Sequence, residues 1–230
     1  MTECPIIFSG PMVRAILEGR KTQTRRVINP QPRPMPNGRA WIWKRDDGRI
    51  IPHGPRSSSF GSEKCMRDSL ADPDNGFCPY GQPGDVLWVR ESIALDDCGA
   101  CMHYVADGAP VADGGRAWKW KKKVLSGRFM PRWVCRLLLT VTDVRAQRVQ
   151  DISEEDAMAE GCRGHAGAPG PDGDEGILPS WEYRRLWNCL NVSRGYPWES
   201  NPWVWAISFS VIDALAVVRF TAENAENAER

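Results

Sequence analysis

The chain has 230 residues, with 30 Lys+Arg against 29 Asp+Glu, 42% hydrophobic residues and eleven tryptophans. No apolar run approaches the ~20 residues that cross a bilayer, and its 21 glycines and 18 prolines fall short of a low-complexity composition. A membrane-spanning protein, a collagen and a wholly disordered chain are excluded, which leaves a folded chain of one ordinary domain with insertions, or of two very small ones.

In chain order, the first element is a short helix. Pro11 suits its first turn, Met12, Val13, Ile16 and Leu17 share a face, and Gly19 supplies a left-handed stop. Residues 20–28 alternate and carry β-branched side chains, reading as a loop that runs into a strand. Residues 29–83 read as a long insertion, in which Trp41–Trp43 and Arg49–Ile51 suggest a hairpin turning at Asp46-Asp47-Gly48. The turn Gly81–Asp85 launches a strand at Val86–Ser92, and a second irregular insertion covers 96–130. Val134–Val149 is the best strand, too long to be straight and expected to bend near Asp143. Ser153 then caps a helix whose first turn holds Glu154, Glu155 and Asp156, with Ile152 stapled against Ala157 and Gly161 as the stop. Ser180 is expected to cap a third helix with Tyr183, Leu186, Trp187 and Leu190 on one face, before a closing strand at Trp203–Ile212. Strands with three short helices and no βαβ alternation indicate α+β: a small, mostly antiparallel β-barrel over 1–212 with two insertions, and a frayed tail at 213–230.

Charge is unevenly placed. Residues 1–60 are net +7, 115–150 are net +9, and 151–176 hold eight acids against Arg163. The run Trp118-Lys119-Trp120-Lys121-Lys122-Lys123 suits stacked bases between cations; a strand with one buried face reads equally well. With no leader sequence visible, the eight cysteines are expected to be reduced thiols. Cys98 and Cys101 form a CxxC that Cys65 and Cys78 would complete as a zinc site, although the gap between the latter two is not that of a zinc ribbon. No metal and no cofactor is therefore assigned.

No His/Glu metal motif, GxSxG elbow or phosphate-binding P-loop is present, and His53, His103 and His165 fall in loop-like sequence. The densest chemistry lies at Gly19–Arg26, where Arg20, Lys21, Arg25 and Arg26 crowd together. Neighbouring cations lower a lysine pKa, and such an amine can serve as base toward a hydroxyl such as that of Thr22 or Thr24. An anion-binding turn or a solvated strand fits the same residues.

The run Ile16-Leu17-Glu18-Gly19-Arg20-Lys21-Thr22-Gln23-Thr24-Arg25-Arg26 resembles the signature of the ASCH domain, a PUA-like barrel related to RNA-binding modules. Further resemblance follows at Cys78–Gly81, Gly84–Glu91, Met130–Trp133, Asp151–Ala157 with Glu160-Gly161, and Asn201–Trp205, and is similar to the phage- and prophage-encoded branch. The resemblance covers about 5–212 and leaves both insertions outside it. It implies a bacterial cytoplasmic setting, a monomer, no membrane, and a substrate that is a modified nucleoside or nucleotide, with RNA or single-stranded nucleic acid as further partners. It implies an amidohydrolase on acylated pyrimidine nucleosides such as N4-acetylcytidine, with Lys21, Thr24 and Glu160 catalytic. Thr24 is then nucleophile, Lys21 its base and Glu160 proton shuttle, the last two open to exchange. Arg26 matches the family arginine, and Trp88, Arg90 and Glu91 are expected at the binding face, with Trp88 and Arg90 on one side of their strand. A non-catalytic RNA- or DNA-binding module and a ribonuclease are the alternatives. Arg25 is an additional cation, expected to favour an anionic substrate.

Overall fold

The computed structural model describes residues 1–34, 41–44, 50–53, 78–97, 99–112, 116–169 and 175–212. The elements are β1 (Glu3–Ile7), α1 (Gly10–Leu17), β2 (Gln23–Val27), β3 (Arg33–Pro34), β4 (Trp41–Lys44), β5 (Ile50–His53), β6 (Val86–Arg90), β7 (Ile93–Leu95), β8 (Met102–Tyr104), β9 (Val124–Leu125), β10 (Leu138–Arg148), α2 (Glu154–Ala159), β11 (His165–Pro169), β12 (Glu175–Ile177), α3 (Pro179–Asn191) and β13 (Trp203–Val211). The class is α+β, with three α-helices among the described residues and predominantly antiparallel pairing, as the sequence leads one to expect. Among the described residues the sheets are open, however: β1 and β2 each pair on one side only, whereas a closed barrel needs its outer strands joined. The chain divides into two compact units, residues 1–19, 79–142 and 209 onward in one, 20–78 and 143–208 in the other. Strands β10 and β13 contribute residues to both, and β10 crosses the division at Thr142/Asp143, where the sequence placed a bend.

In the first unit, β1 runs parallel to β6 from Glu3↔Val86 to Ile7↔Arg90, and β6 pairs antiparallel with β10 through Leu138↔Trp88. The consecutive residues Val86 and Leu87, and then Val89, are buried, as expected for a strand packed on more than one side. Helix α1 buries Val13, Ala15 and Ile16 and is pinned by Arg14, whose Nη1 donates to the Ala106 carbonyl. The insertion 96–130 is more ordered than its sequence suggests. Strand β7 pairs with both β8 and β9, and Ile93, Met102, Tyr104, Val111, Leu125, Met130 and Val134 form a core of their own. Strands of two or three residues are too short to leave a readable period.

In the second unit, β13 pairs antiparallel with β2 in the register Val204↔Val27, Ala206↔Arg25 and Ser208↔Gln23. Its core is Val149, Ala157, Cys162, Tyr183, Trp187 and Val204, with Ile152 packed against it as the expected staple. The hairpin foreseen in the first insertion is β4 with β5, from Trp41↔His53 to Lys44↔Ile50, and β3 adds a third strand; its turn lies outside the described residues. Ser180 does not cap α3. Pro179 starts the helix, where a missing N–H costs nothing, and the Ser180 N–H and Oγ donate to the Glu154 carboxylate instead.

Gly164 tests this packing. Its φ is +64°, and a Cβ there would sit 2.4 Å from the Ile177 carbonyl oxygen. Gly164→Ala should therefore lower stability by about 3 kcal/mol. Gly19→Ala, at φ +71° with open space around it, should cost about 1 kcal/mol, the conformational strain alone. Urea denaturation of the two variants checks the difference.

Candidate active site

The site is built at the end of α2. Ser153 caps that helix, its Oγ accepting from the Asp156 N–H at 3.1 Å, and three acids occupy the first turn, where the helix dipole favours negative charge. The helix closes in a double turn: Gly161 N–H donates to Met158 O at 2.8 Å and Cys162 N–H to Ala157 O at 3.1 Å. Gly161, at φ +97°, takes the left-handed position that this closure requires. Glu160 is thus the C-cap residue, still helical in φ and ψ and directly before the left-handed Gly161.

The loop between α1 and β2 lies along this corner. Thr22 N–H donates to Ala159 O at 2.8 Å, Lys21 Nζ to Glu160 O at 2.9 Å, and Arg20 Nη1 to Gly161 O at 3.4 Å. These are carbonyls that a helix end leaves without intrahelical partners, and cations suit them. Lys21 Nζ also reaches the Glu160 carboxylate, with Oε2 at 2.6 Å, and the Gln23 carbonyl at 2.8 Å. Both side chains are almost wholly buried, at 0% and 3% exposure. Burial pushes the Lys21 ammonium below its ordinary 10.5; Glu160 pulls it partly back up, and Arg26 adds to the depression. Cys162, beside the same groups, is pushed up to about 12 by burial and then by Glu182 and Glu160.

Strand β2 presents two faces. Gln23 and Arg25 face α2 and α3. Arg25 donates to Gln23 Oε1 at 2.6 Å, Asp156 Oδ2 at 2.6 Å and Glu160 Oε1 at 3.4 Å, and its guanidinium lies 5.7 Å from the Tyr183 ring centroid. Gln23 completes the set with Asp156 Oδ1 at 3.1 Å and Ser208 Oγ at 3.2 Å. The Tyr183 hydroxyl is held well above its ordinary 10.0, first by burial and then by the Glu160 charge. Thr24 is buried too, but alternation turns it and Arg26 to the opposite face, in register with Ile207 and Trp205. The structure thus brings Lys21 and Glu160 together and sets Thr24 on the other side of the strand. Arg25, expected to attract an anionic substrate, is instead fully buried between two carboxylates of its own chain. Asp156 and Gln23 are members of the cluster that sequence reasoning missed. Asp156 reads there as dipole complement only.

Trp88, Arg90 and Glu91 belong to the first unit. Arg90 does share a face with Trp88, its guanidinium 5.3 Å from the ring centroid, and Arg132 covers the same ring at 5.7 Å. Arg90 Nη2 donates to the Arg128 carbonyl. Glu91 is 1% exposed and held by Arg136 at 2.8 and 2.9 Å, while Arg136 also grips Asp107 and lies 3.8 Å from the Tyr104 ring centroid. In this Glu91–Arg136–Asp107 cluster Glu91 is a buried ion-pair partner of Arg136, and nothing local in the sequence marks Arg136. Among the described residues no group of His, Cys, Asp and Glu is arranged to hold a metal. Cys65 and Cys98 lie outside the described residues, so the four-cysteine arrangement is not among them.

No family model and no curated protein matches the chain. Two solved structures are similar to it. One is the ASCH domain from Lactobacillus crispatus JV V101, 13% identical, covering 91% of this chain and 79% of that one with a TM-score of 0.36. The other is a DUF984 protein from Enterococcus faecalis V583, also 13% identical, covering 93% and 82% with a TM-score of 0.36. Likenesses this shallow carry no argument about what this chain binds or does.

Breaking the buried pair on one side strands a charge. Lys21→Met should cost about 3–5 kcal/mol, and the double variant Lys21→Met/Glu160→Gln should be more stable than the two single losses added together; urea denaturation of the three proteins measures the coupling. For Asp156, burial alone would raise the pKa, but Arg25, Arg145 and Gln23 outweigh it and hold the carboxyl below its ordinary 3.8. A carboxyl depressed in the folded state stabilises above its unfolded pKa, and that contribution is lost as pH falls through the folded value. The stability deficit of Asp156→Asn should therefore be present at neutral pH and shrink below about pH 4, as read from denaturation midpoints across the acid range.

Proposed function

We propose that this chain is an amidohydrolase acting on acylated pyrimidine nucleosides of the N4-acetylcytidine type, with Lys21 and Glu160 as its proton-transfer pair, in a bacterial cytoplasm and of phage or prophage origin. The observation that carries this reading is the 2.6 Å contact between Lys21 Nζ and Glu160 Oε2 in a setting that excludes water and lowers the lysine pKa. Burial disfavours the charged form of the Lys21 amine, which readies it to act as a base. Lys21 takes a proton from the attacking group, and Glu160 relays one to the exocyclic nitrogen as it leaves. Either a water adds to the acyl carbon and the C–N bond breaks to give the carboxylate and the unmodified amine, or the Thr24 hydroxyl adds, the amine leaves, and water then hydrolyses the acyl ester to release the carboxylate and restore the hydroxyl. Thr24 lies on the opposite face of β2 from Arg25, so its part is a separate question from that of the pair. Arg26, on the Thr24 face, supplies positive charge in this scheme.

A second reading, a non-catalytic nucleic-acid-binding module, is favoured by one observation. All three protons of the Lys21 ammonium already have acceptors, in Gln23 O, Glu160 O and Glu160 Oε2. On this reading the pair is a clamp that fixes β2 to α2.

Acetate release from N4-acetylcytidine separates the two. The amidohydrolase reading expects turnover that falls by about 10²- to 10⁴-fold in Glu160→Gln and Lys21→Ala, the range that a positioned acid or base contributes. Thr24→Val losing as much would make the hydroxyl the nucleophile, and retaining activity would assign that step to water. No turnover across a panel of N-acylated nucleosides by folded protein rejects the enzyme.

A further inference from the structure

We infer that the insertion at 96–130 carries a binding site for single-stranded nucleic acid, a cavity that takes a nucleobase between Trp120 and Phe129 with lysines on the flanking phosphates. This goes beyond the amidohydrolase reading and is independent of it, since every residue lining the cavity belongs to the first unit and to a segment outside the ASCH-like motifs. The cavity measures about 340 Å³ and is lined by Trp120, Lys121, Lys122, Val124, Ser126 and Phe129. That volume lies in the range of small-ligand sites, with the apolar walls and few polar groups such sites have.

Three features mark it as a built site. First, its aromatic walls are held in place. Trp118 Nε1 donates to the Lys122 carbonyl at 3.1 Å, and the Trp118 ring meets Trp120 edge-on at 4.8 Å, which fixes the loop that carries Trp120. The opposite wall sits on a turn capped by Ser126 and pressed onto β6, where a Cβ on Gly127 would lie 3.1 Å from the Arg90 carbonyl oxygen. The Arg90 guanidinium bonds that turn as well, which gives this residue a positioning role in the proposed site.

Second, the walls stay exposed although apolar. Phe129 is 65% and Val124 54% exposed, and both line the same cavity; apolar surface gathered in one concave place is what an interaction site presents. Third, the charge is complementary to a nucleic-acid strand. Six basic residues and no acid lie between Arg116 and Arg128. Among the described residues Lys123 has only a fully exposed Asp97 at 3.7 Å, and no ion pair engages Lys121 or Lys122. Aromatic faces between unengaged cations bind single strands by stacking and phosphate contact, with little demand on base identity. The rings are closed to a paired base, whose faces are already stacked in its own helix.

Fluorescence anisotropy with labelled ten-nucleotide oligo(U) and oligo(dT), and with a duplex of equal length, tests this on the full chain. The site expects both single strands to bind and the duplex to bind at least tenfold more weakly. Phe129→Ala and Trp120→Ala should each raise Kd about tenfold or more, and Trp120→Phe should restore most of the loss. Lys121→Ala/Lys122→Ala should flatten the dependence of log Kd on log salt by about 0.7 per phosphate contact removed. Because Phe129 is exposed, its alanine variant keeps the fold even if Trp120→Ala does not. Equal binding of single strand and duplex, unchanged binding by Phe129→Ala, or competition by poly-glutamate as strong as by unlabelled oligo(U) would each overturn the proposal, the last by reducing it to charge alone. No binding at low salt would do the same. These readouts are of binding, so they stand or fall apart from acetate release.

Discussion

Burying an ammonium and a carboxylate together is the constraint on which the second unit turns. Each ion loses several kcal/mol of hydration, and their mutual attraction offsets that loss only when the geometry is tight and every remaining donor and acceptor is met. Here the condition is met from three directions. The helix end provides the carbonyl of Glu160, β2 provides that of Gln23, and Arg25 takes the second Glu160 oxygen. Arg25 in turn needs Asp156, and Asp156 needs Gln23 and Arg145. A chain of obligations therefore runs from one buried lysine through a strand and a helix, and it specifies their register more narrowly than apolar packing could, because a hydrophobic contact tolerates a shift that a charge-assisted hydrogen bond does not.

The same network bears on chemistry. A lysine surrounded by water stays protonated near neutrality, and a glutamate there stays ionised. Removing the water pushes the Lys21 ammonium below its ordinary range, which is the setting that a proton-transferring site requires. A clamp and a catalyst can share this geometry; what separates them is whether a substrate atom reaches the pair. In the first unit, by contrast, the Glu91–Arg136–Asp107 cluster has its guanidinium against the Tyr104 ring and both carboxylates engaged. Its two carboxylates sit in ion pairs with a guanidinium that does not give up its proton.

Much of this arrangement was legible in the sequence. The start and stop of α2 are written in Ser153, Glu154–Asp156 and Gly161, because capping is local chemistry. The closing strand shows in its apolar run, and the density of cations at 20–26 marked the segment that supplies Lys21. What could not be read was pairing at long range. Lys21 and Glu160 are 139 positions apart, and without the family resemblance a glutamate in a last helical turn looks like a solvated charge. Arg136 was hidden for the same reason, its partners lying 45 and 29 residues away. The misplaced Ser180 cap shows a local rule overridden, since Pro179 and the Glu154 carboxylate competed for the same residue and won. The order in the second insertion went unseen because its strands are shorter than any period that would reveal them.

The two-faced strand β2 has an evolutionary corollary. Its odd residues Gln23 and Arg25 serve the buried cluster, and its even residues Thr24 and Arg26 face the other way. Deleting or inserting a single residue within this strand would exchange the two sets, driving Thr24 into the ionic cluster and turning Arg25 out of it. Point changes here are graded losses, whereas a change of length inverts the whole segment at once. The spacing between Lys21 and Arg26 should therefore drift less than the identity of the residues that fill it.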